Sequence, residues 1–449
     1  MRRRTRHEVT SGSDSHSDSD KSIVDAEGDP RIIQAKLDFR WYWFGQSISV
    51  IGNQIAVFIL PTIAIVLFKA SGIEIGLLNA VSTAAYPLFG LFAGVLMDRV
   101  RRRPAMITAD IARALVFAWV PVAGALGVLG MADLYVVALA AGTFGVLFDV
   151  ASQSHLPTLL PDALLPKANS RMEISMALAM LSGPALGGLL VQLLTATTAL
   201  VVTAASFLLS MLTIARLRMP EPPAAPRKSG SLIFTEIRAG IATLWQHPLL
   251  RPVSIAAGLR NLGNTAAATV ALLFAYQVLH LSPGTVGVLF TVGGVAGLLG
   301  AWMSSRMVSR LGVGRTLIIT CVSGGAWLAA PVALWLPAIP TFLAVGIMAS
   351  LWLPVWNATI TTLRQTVTPP ELLGRVHATA RTINFCAVPL GALVGGACAE
   401  VLSSTLGSAS GLSDTLMLAG FTAASGAIFL TRSEVRTLRG MPPRLTPCV

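Results

Sequence analysis

The sequence predicts an all-α membrane protein with twelve transmembrane helices in two bundles of six. The chain of 449 residues is 54% hydrophobic and only 12% charged, and its mean hydropathy is +0.70. Soluble domains carry about 25% charged residues. Long apolar runs recur along the chain, and a run of roughly 20 apolar residues suffices to cross a bilayer as a helix. The lipid bilayer is therefore the expected solvent of most of this chain.

The first forty residues differ from the rest. They are rich in arginine and then in serine and aspartate, and they contain no apolar run. A secretory signal needs a hydrophobic stretch after its charges, so none is predicted here. We expect residues 1–40 to form a disordered cytoplasmic tail.

Twelve apolar runs follow, each bounded to within a few residues. The first bundle, residues 41–217, contains six of them: 44–68, 75–97, 105–127, 134–153, 171–194 and 197–217. The second bundle, residues 253–432, contains the other six: 253–279, 283–304, 316–336, 339–362, 377–402 and 414–431. A polar linker, residues 218–252, joins the bundles, and apolar residues at helical spacing from Leu232 to Trp245 predict an amphipathic helix within it. Residues 433–449 are expected to form a second cytoplasmic tail.

The distribution of charge predicts the orientation in the membrane. With both termini in the cytoplasm, only Lys69 of the 33 lysines and arginines falls in a predicted outer loop. Cytoplasmic loops of membrane proteins carry excess lysine and arginine, so the pattern favours an even number of spans. The same rule accounts for the net charge of +12 without a nucleic-acid partner.

The two halves of the chain resemble each other at a constant shift. Asp149 corresponds to Asn357 (357 − 149 = 208), and Gly183 corresponds to Gly391 (391 − 183 = 208). The pair Gly187-Gly188 corresponds in the same way to Gly395-Gly396. Parallel repeats of six helices are typical of transporters whose substrate site lies between two rocking halves.

The loop after the second span contains Gly94, Asp98, Arg99, Arg102 and Arg103. This run resembles motif A of the major facilitator superfamily, although Arg101 stands where that pattern has glycine. The resemblance implies that Asp98 accepts hydrogen bonds from a helix N-terminus or from Arg381 of the other half and so closes the cytoplasmic side.

The fifth span contains Gly183, Pro184, Gly187 and Gly188. Proline bends a helix and glycine permits close helix packing. The run resembles motif C of the proton-linked exporters of the same superfamily, with Ala179 in place of an earlier glycine. Stretches at 44–53, 244–251 and 369–376 are similar to the branch of enterobactin exporters and macrolide efflux proteins.

By this resemblance, the first, fourth, seventh and tenth spans line a substrate cavity. The polar and aromatic residues that these spans offer are Gln46, Asn53, Asp149, Gln153, Arg260, Asn261, Asn264, Trp352, Trp356 and Asn357. A charge within the bilayer costs about 2.5–3.5 kcal/mol, so each one needs a reason. Asp149 is the predicted proton carrier, with Arg260 as its partner or as the group that holds an anionic part of the substrate. The competing hypothesis is that Asp149 is a structural partner of a loop arginine.

These observations predict a secondary transporter of the plasma membrane, acting as a monomer and exporting an amphipathic small molecule such as a siderophore or antibiotic in exchange for protons. No ATP-binding motif, metal-ligand spacing or cofactor motif occurs in the sequence. The alternative on the same fold is an importer or a lysolipid flippase. From another class, a membrane-embedded enzyme would need clustered catalytic groups, and a sensor would need a soluble domain; the sequence shows neither.

Overall fold

The computed structural model describes residues 30–97, 100–161, 164–218, 242, 244–368 and 370–440. These residues form thirteen α-helices and no β-strand. The helices of the N-terminal half are α1 (Pro30–Val66), α2 (Gly72–Met97), α3 (Arg102–Ala125), α4 (Met131–Leu159), α5 (Leu165–Leu193) and α6 (Leu200–Ala215). Those of the C-terminal half are α7 (Leu250–Leu273), α8 (Pro283–Leu311), α9 (Val313–Val322), α10 (Ala338–Leu351), α11 (Leu353–Val367), α12 (Pro370–Leu406) and α13 (Ser408–Thr431).

The predicted all-α membrane fold is confirmed. Within the described residues, nine helical segments are long and apolar enough to cross a membrane: Ile33–Val66, Arg102–Ala125, Met131–Leu159, Leu165–Leu193, Pro283–Leu311, Val313–Leu334, Ala338–Val367, Thr382–Leu406 and Ser408–Thr431. The remaining predicted spans fall on α2, α6 and α7. The total of twelve spans and the side of the membrane that holds the termini stay predictions. Below, the "outer end" means the end that carries Lys69, which the charge pattern places outside.

Helix boundaries depart from the expected ones at two places. α1 begins at Pro30, so residues 30–40 are helical and the predicted tail ends earlier, because Ala35 and Phe39 are buried in a core of the N-terminal half. The predicted span 339–362 breaks at Trp352 into α10 and α11. Pro354, in the first turn of α11, has no N–H to continue the hydrogen bonds of α10.

The two halves pack their helices in the same pattern. In the N-terminal half, α1 packs on α5 and α6, α2 on α4, and α3 on α4 and α6. In the C-terminal half, α7 packs on α12 and α13, α8 on α10 and α11, and α9 on α11 and α13. Contacts between the halves concentrate on two helix pairs, α2 with α12 and α5 with α8. We call the two halves the N and C bundles.

The apolar cores show where the bundles join. One continuous cluster of buried residues fills the outer half and includes residues of both bundles, among them Ile59, Leu78, Phe274 and Trp327. Toward the other end, the described residues form separate clusters, one around Phe148 of the N bundle and one around Trp356 of the C bundle. The bundles are therefore joined at the outer end and have separate cores at the predicted inner end.

Candidate substrate cavity and inter-bundle gate

The contact of α2 with α12 at the outer end is made by backbone. A Cβ atom added at Gly76 would lie 2.7 Å from the carbonyl oxygen of Ala392 and 2.9 Å from Cα of Gly396. One added at Gly72 would lie 2.7 Å from the carbonyl oxygen of Gly396. These distances leave no room for a side chain. Glycine is required here because only glycine lets the two helices approach this closely.

The contact of α5 with α8 is built in the same way from residues of the predicted motif C. A Cβ atom at Gly188 would collide with the carbonyl group of Pro283, and one at Gly287 would collide with that of Pro184. Gly188 and Gly396 therefore serve the same purpose on the two sides of the interface, as the shift of 208 predicts (396 − 188 = 208). Gly188 and Pro184 of the fifth span thus belong to the seam between the bundles.

The shift also relates contacts inside each bundle. A Cβ atom at Gly183 would meet Gln54 of α1, and one at Gly391 would meet Leu262 of α7, where 262 − 54 = 208. The equivalent contacts of Gly187 and Gly395 are with Phe58 and Ala266, and 266 − 58 = 208. The residues that repeat in the sequence therefore make equivalent helix–helix contacts in the two bundles.

Hydrogen bonds join the two bundles across the seam at the outer end. Glu400 Oε2 accepts a hydrogen bond of 2.9 Å from the backbone N–H of Gly72. The hydroxyls of Thr62 and Tyr276 are 3.2 Å apart. The side-chain amide of Gln277 donates to the carbonyl oxygen of Ala70 at 3.2 Å. Backbone contacts and hydrogen bonds together close this end.

Open space borders helices of both bundles further from the outer end. A Cβ atom at Gly90 of α2, Gly145 of α4 or Gly258 of α7 would meet no heavy atom of another helix within 4 Å. Gln153 and Asn357 are exposed, and Asn53, Asn261, Asn264 and Trp352 are half-buried. These side chains remain the candidates for the lining of a substrate cavity.

Asp149 lies one helical turn after Gly145 and is half-buried. The Tyr86 hydroxyl donates a hydrogen bond to Asp149 Oδ2. The Tyr86 ring stacks on Phe385 of the C bundle, with centroids 5.1 Å apart and an interplanar angle of 7°. Tyr86 thus links the predicted proton carrier to the opposite bundle. Neither Tyr86 nor Phe385 was predicted, because an aromatic residue within an apolar run is typical of any helix core.

Arg260 is not in contact with Asp149. Its side chain is 0% exposed, its Nε donates to the carbonyl oxygen of Thr320 at 3.2 Å, and its guanidinium carbon lies 5.4 Å from the centre of the Trp356 ring. Within the described part of the chain, Nη1 and Nη2 have no hydrogen-bond partner. Trp356 is 1% exposed and belongs to the C-bundle core, and Gln46 is 8% exposed, so these two predicted cavity residues are also buried.

Asp110 and Arg113, three residues apart on α3, form a buried ion pair. The guanidinium carbon of Arg113 lies 4.3 Å from the ring centres of both Phe148 and Phe207, and its Nη2 donates to Ser49 at 3.3 Å. His155, near the end of α4, is 4% exposed and packs against Tyr42, with ring centroids 5.9 Å apart.

The predicted cytoplasmic gate is described only in part. Asp98 and Arg99 lie outside the described residues, as do the side-chain surroundings of Gly94 and Arg381. Arg103 Nε and Nη2 donate to the carbonyl oxygens of Ile214 and Ala215 at 3.2 and 2.6 Å. Arg103 therefore satisfies carbonyl groups at the end of α6, where a cation is favourable.

Comparison with known proteins supports the same fold and class. The chain is 29% identical over 364 residues to "Multidrug efflux pump Tap" of Mycolicibacterium fortuitum, covering 78% of this chain and 86% of that protein. It is 24% identical over 425 residues to "Enterobactin exporter EntS" of Salmonella choleraesuis, covering 90% and 94%. Among solved structures, a bacterial homologue of the human lysosomal transporter Spinster has the same fold, with a TM-score of 0.71, 14% identity and coverage of 92% of this chain and 99% of that one. A family model described as Major Facilitator Superfamily matches residues 42–392. This chain therefore belongs to the Major Facilitator Superfamily, and it is a multi-pass membrane transporter.

Proposed function

We propose that this transporter exports an amphipathic small molecule from the cell in exchange for protons, by tilting its two bundles about the seam between them. The relatives named above are a multidrug efflux pump and an enterobactin exporter, which supports export of such molecules. The proposal includes the plasma membrane as its location, cytoplasmic termini, a linker at residues 218–252 and a monomer as the working unit.

The observation that carries the proposal is the division of the apolar cores. A single cluster joins both bundles at the outer end, whereas each bundle has its own cluster at the other end. A seam closed at one end and divided at the other presents a cavity to one compartment. Tilting the bundles the other way exposes the same residues to the opposite compartment, which is the requirement of alternating access.

The proposed coupling centres on Asp149. This carboxylate lies beside the open space and is linked through Tyr86 to Phe385 of the other bundle. Relative movement of the bundles therefore changes the surroundings of Asp149. In the proposed cycle, Asp149 takes up a proton from outside as the substrate leaves and releases it inside when new substrate binds.

Half-buried Trp352 and the polar side chains Asn53, Asn261 and Asn264 suit an amphipathic substrate, because aromatic rings pack on apolar groups and amides hydrogen-bond to polar ones. Arg260 lies behind this surface, against Trp356. We propose that it meets an anionic group of the substrate only when the C bundle rearranges.

The test is transport in membrane vesicles of known orientation. Purified chain is reconstituted, a panel of amphipathic dyes, antibiotics and siderophores is supplied, and accumulation is measured with and without a proton gradient. Net accumulation in the direction of export that collapses with the gradient is the expected result. Transport in the direction of uptake, or of lysolipid alone, would replace the proposal with one of its alternatives.

Asp149→Asn separates coupling from binding. We expect this variant to keep exchange of substrate between the two sides without a gradient and to lose accumulation driven by protons. The matched control is Asp414→Asn, which removes a half-buried carboxylate of α13. Gradient-driven accumulation at the unaltered rate in Asp149→Asn would rule out Asp149 as the proton carrier.

A further inference from the structure

A cavity of about 400 Å³ lies at the predicted inner end of the N bundle, away from the seam contacts described above. The first turns of α1 form one wall, and the end of α4 with the start of α5 forms the other. Nothing in the proposed transport cycle uses this cavity.

Four cationic side chains line it. Lys36 and Arg40 are four residues apart on α1, and Lys167 and Arg171 are four residues apart on α5. Residues at this spacing share one helix face, and like charges placed so destabilise the helix. No acidic residue occurs among the described residues that line the cavity. A concentration of positive charge of this kind favours an anionic ligand.

The rest of the lining is apolar. Ile33 and Leu37 are 45% and 43% exposed, and Leu160 and Leu164 contribute from the opposite wall. Large apolar side chains exposed beside a cluster of cations are unfavourable in water. A ligand with an apolar part next to its negative charge would cover these apolar side chains and pair with the cations.

The position of the cavity matches the lipid head groups. α1 has 37 residues and is therefore about 55 Å long, whereas the hydrocarbon core of a bilayer is about 30 Å thick. Trp41 and Trp43 follow the cavity residues of α1, and tryptophan is enriched at the membrane interface. The guanidinium carbon of Arg171 lies 5.7 Å from the ring centre of Trp43 and that of Arg216 lies 5.2 Å from the ring of Trp41. Cations stacked on tryptophans mark this level as the boundary between lipid and water.

We propose that this cavity binds an anionic phospholipid of the inner leaflet. Arg40, Lys167 and Arg171 hold the phosphate, and the first part of an acyl chain lies along Ile33 and Leu37. Guanidinium and ammonium groups are the usual protein partners of phosphate. The bound lipid joins the projecting end of α1 to the start of α5 and neutralises the charges that oppose each other there.

The experiment uses purified full-length chain and native mass spectrometry to count retained phosphatidylglycerol against phosphatidylcholine. The variant is Arg40→Gln/Lys167→Gln/Arg171→Gln. The matched control is Arg306→Gln/Arg310→Gln/Arg315→Gln, which removes three exposed arginines at the same predicted face, one of them stacked on a tryptophan, Trp302. Each cation beside the bound head group contributes about fivefold in affinity, whereas the control arginines are not among the residues that line the cavity. We therefore expect phosphatidylglycerol to bind the variant roughly a hundredfold more weakly, and the control to be within about twofold of the unaltered chain.

Three results would overturn the proposal. The first is equal loss of phosphatidylglycerol in the variant and the control, which would mean a general effect of charge. The second is equal retention of phosphatidylcholine, which would mean that the head-group charge is not recognised. The third is full competition by inorganic phosphate, which would make this a site for free anions. If the triple variant fails to fold, Arg40→Gln alone, a change to one exposed side chain, gives the same test. We expect this single variant to bind phosphatidylglycerol about fivefold more weakly. Because the readout is lipid retention, the result is independent of whether the transport proposal holds.

Discussion

The carboxylate of Glu400, near the end of α12 in the C bundle, accepts a hydrogen bond from the backbone N–H of Gly72, the first residue of α2 in the N bundle. The first N–H groups of a helix have no partner within the helix, and a negative charge there is favourable. One bundle thus supplies the cap for a helix of the other. The cap is lost whenever the bundles separate at this end.

Replacing Glu400 with glutamine should weaken closure of the outer end. A carboxylate at a helix N-terminus is worth about 1 kcal/mol, which corresponds to a shift of roughly fivefold in the ratio of closed to open forms. Spin labels at Leu67, in the loop between α1 and α2, and at Ser404 of α12 report the separation of the two bundles at this end by pulsed electron resonance. The control is Glu74→Gln, because Glu74, in the first turn of α2, accepts from the backbone N–H of Ser71 just before that helix at 2.8 Å and does not cross the seam. Identical distance distributions in Glu400→Gln and the unaltered chain would contradict this role.

Alanine at Gly76 should prevent the bundles from closing, whereas alanine at Gly90 should be tolerated. Both glycines lie on α2, and both substitutions improve intrinsic helix propensity by about 1 kcal/mol. Only the Cβ atom at Gly76 meets the backbone of α12, and overpacking of this kind costs about 1–3 kcal/mol. We expect loss of transport in Gly76→Ala alone, measured in vesicles together with the melting temperature. Equal activity of the two variants would show that close helix approach is not needed.

Tyr86→Phe should slow proton-driven transport while exchange without a gradient continues. The substitution removes the hydrogen bond to Asp149 and keeps the ring that stacks on Phe385. Tyr86→Ala removes both and should reduce exchange as well, because the contact between bundles is lost. The ratio of driven transport to exchange, measured on the same vesicles, checks the assignment. If Tyr86→Phe has the same ratio of driven transport to exchange as the unaltered chain, the Tyr86 hydroxyl plays no part in coupling.

Arg113→Gln should destabilise the N bundle by about 3–5 kcal/mol, because it leaves the buried carboxylate of Asp110 without its cation. The double variant Asp110→Asn/Arg113→Gln should recover part of that loss, since neither charge then remains. Melting temperatures in detergent measure both. A double variant that melts below Arg113→Gln would mean that the two residues do not act as a pair.

Much of the architecture could be predicted from the sequence because it depends on local patterns. Apolar runs located the helices, and the repeated glycines related Gly183 to Gly391 before either contact was known. The break at Trp352 could also have been predicted, since Pro354 lies two residues after it. The reach of α1 toward Pro30 was missed because Ala35 and Phe39 lie outside any long apolar run.

The site could be predicted only in part. Helical spacing groups residues on one face, but it does not tell which face meets the cavity and which meets the other helices of the same bundle. Arg260 and Trp356 were placed in the cavity for this reason, and both lie in the C-bundle core. The hydrogen bond from Tyr86 to Asp149 joins two helices and two residues 63 positions apart in the sequence. A local sequence pattern cannot predict a contact between residues so far apart in the chain.

At the outer end, main chain rests on main chain where α2 crosses α12 and where α5 crosses α8. At the glycine contacts themselves the two main chains meet without an intervening side chain, so these contacts form and separate without a change of side-chain conformer. In the proposed transport cycle, substitutions at Asn53, Asn264 or Trp352 change the substrate that is carried, while the glycine contacts between the bundles keep their shape. Substrate specificity can therefore change during evolution while the interface between the two bundles is retained.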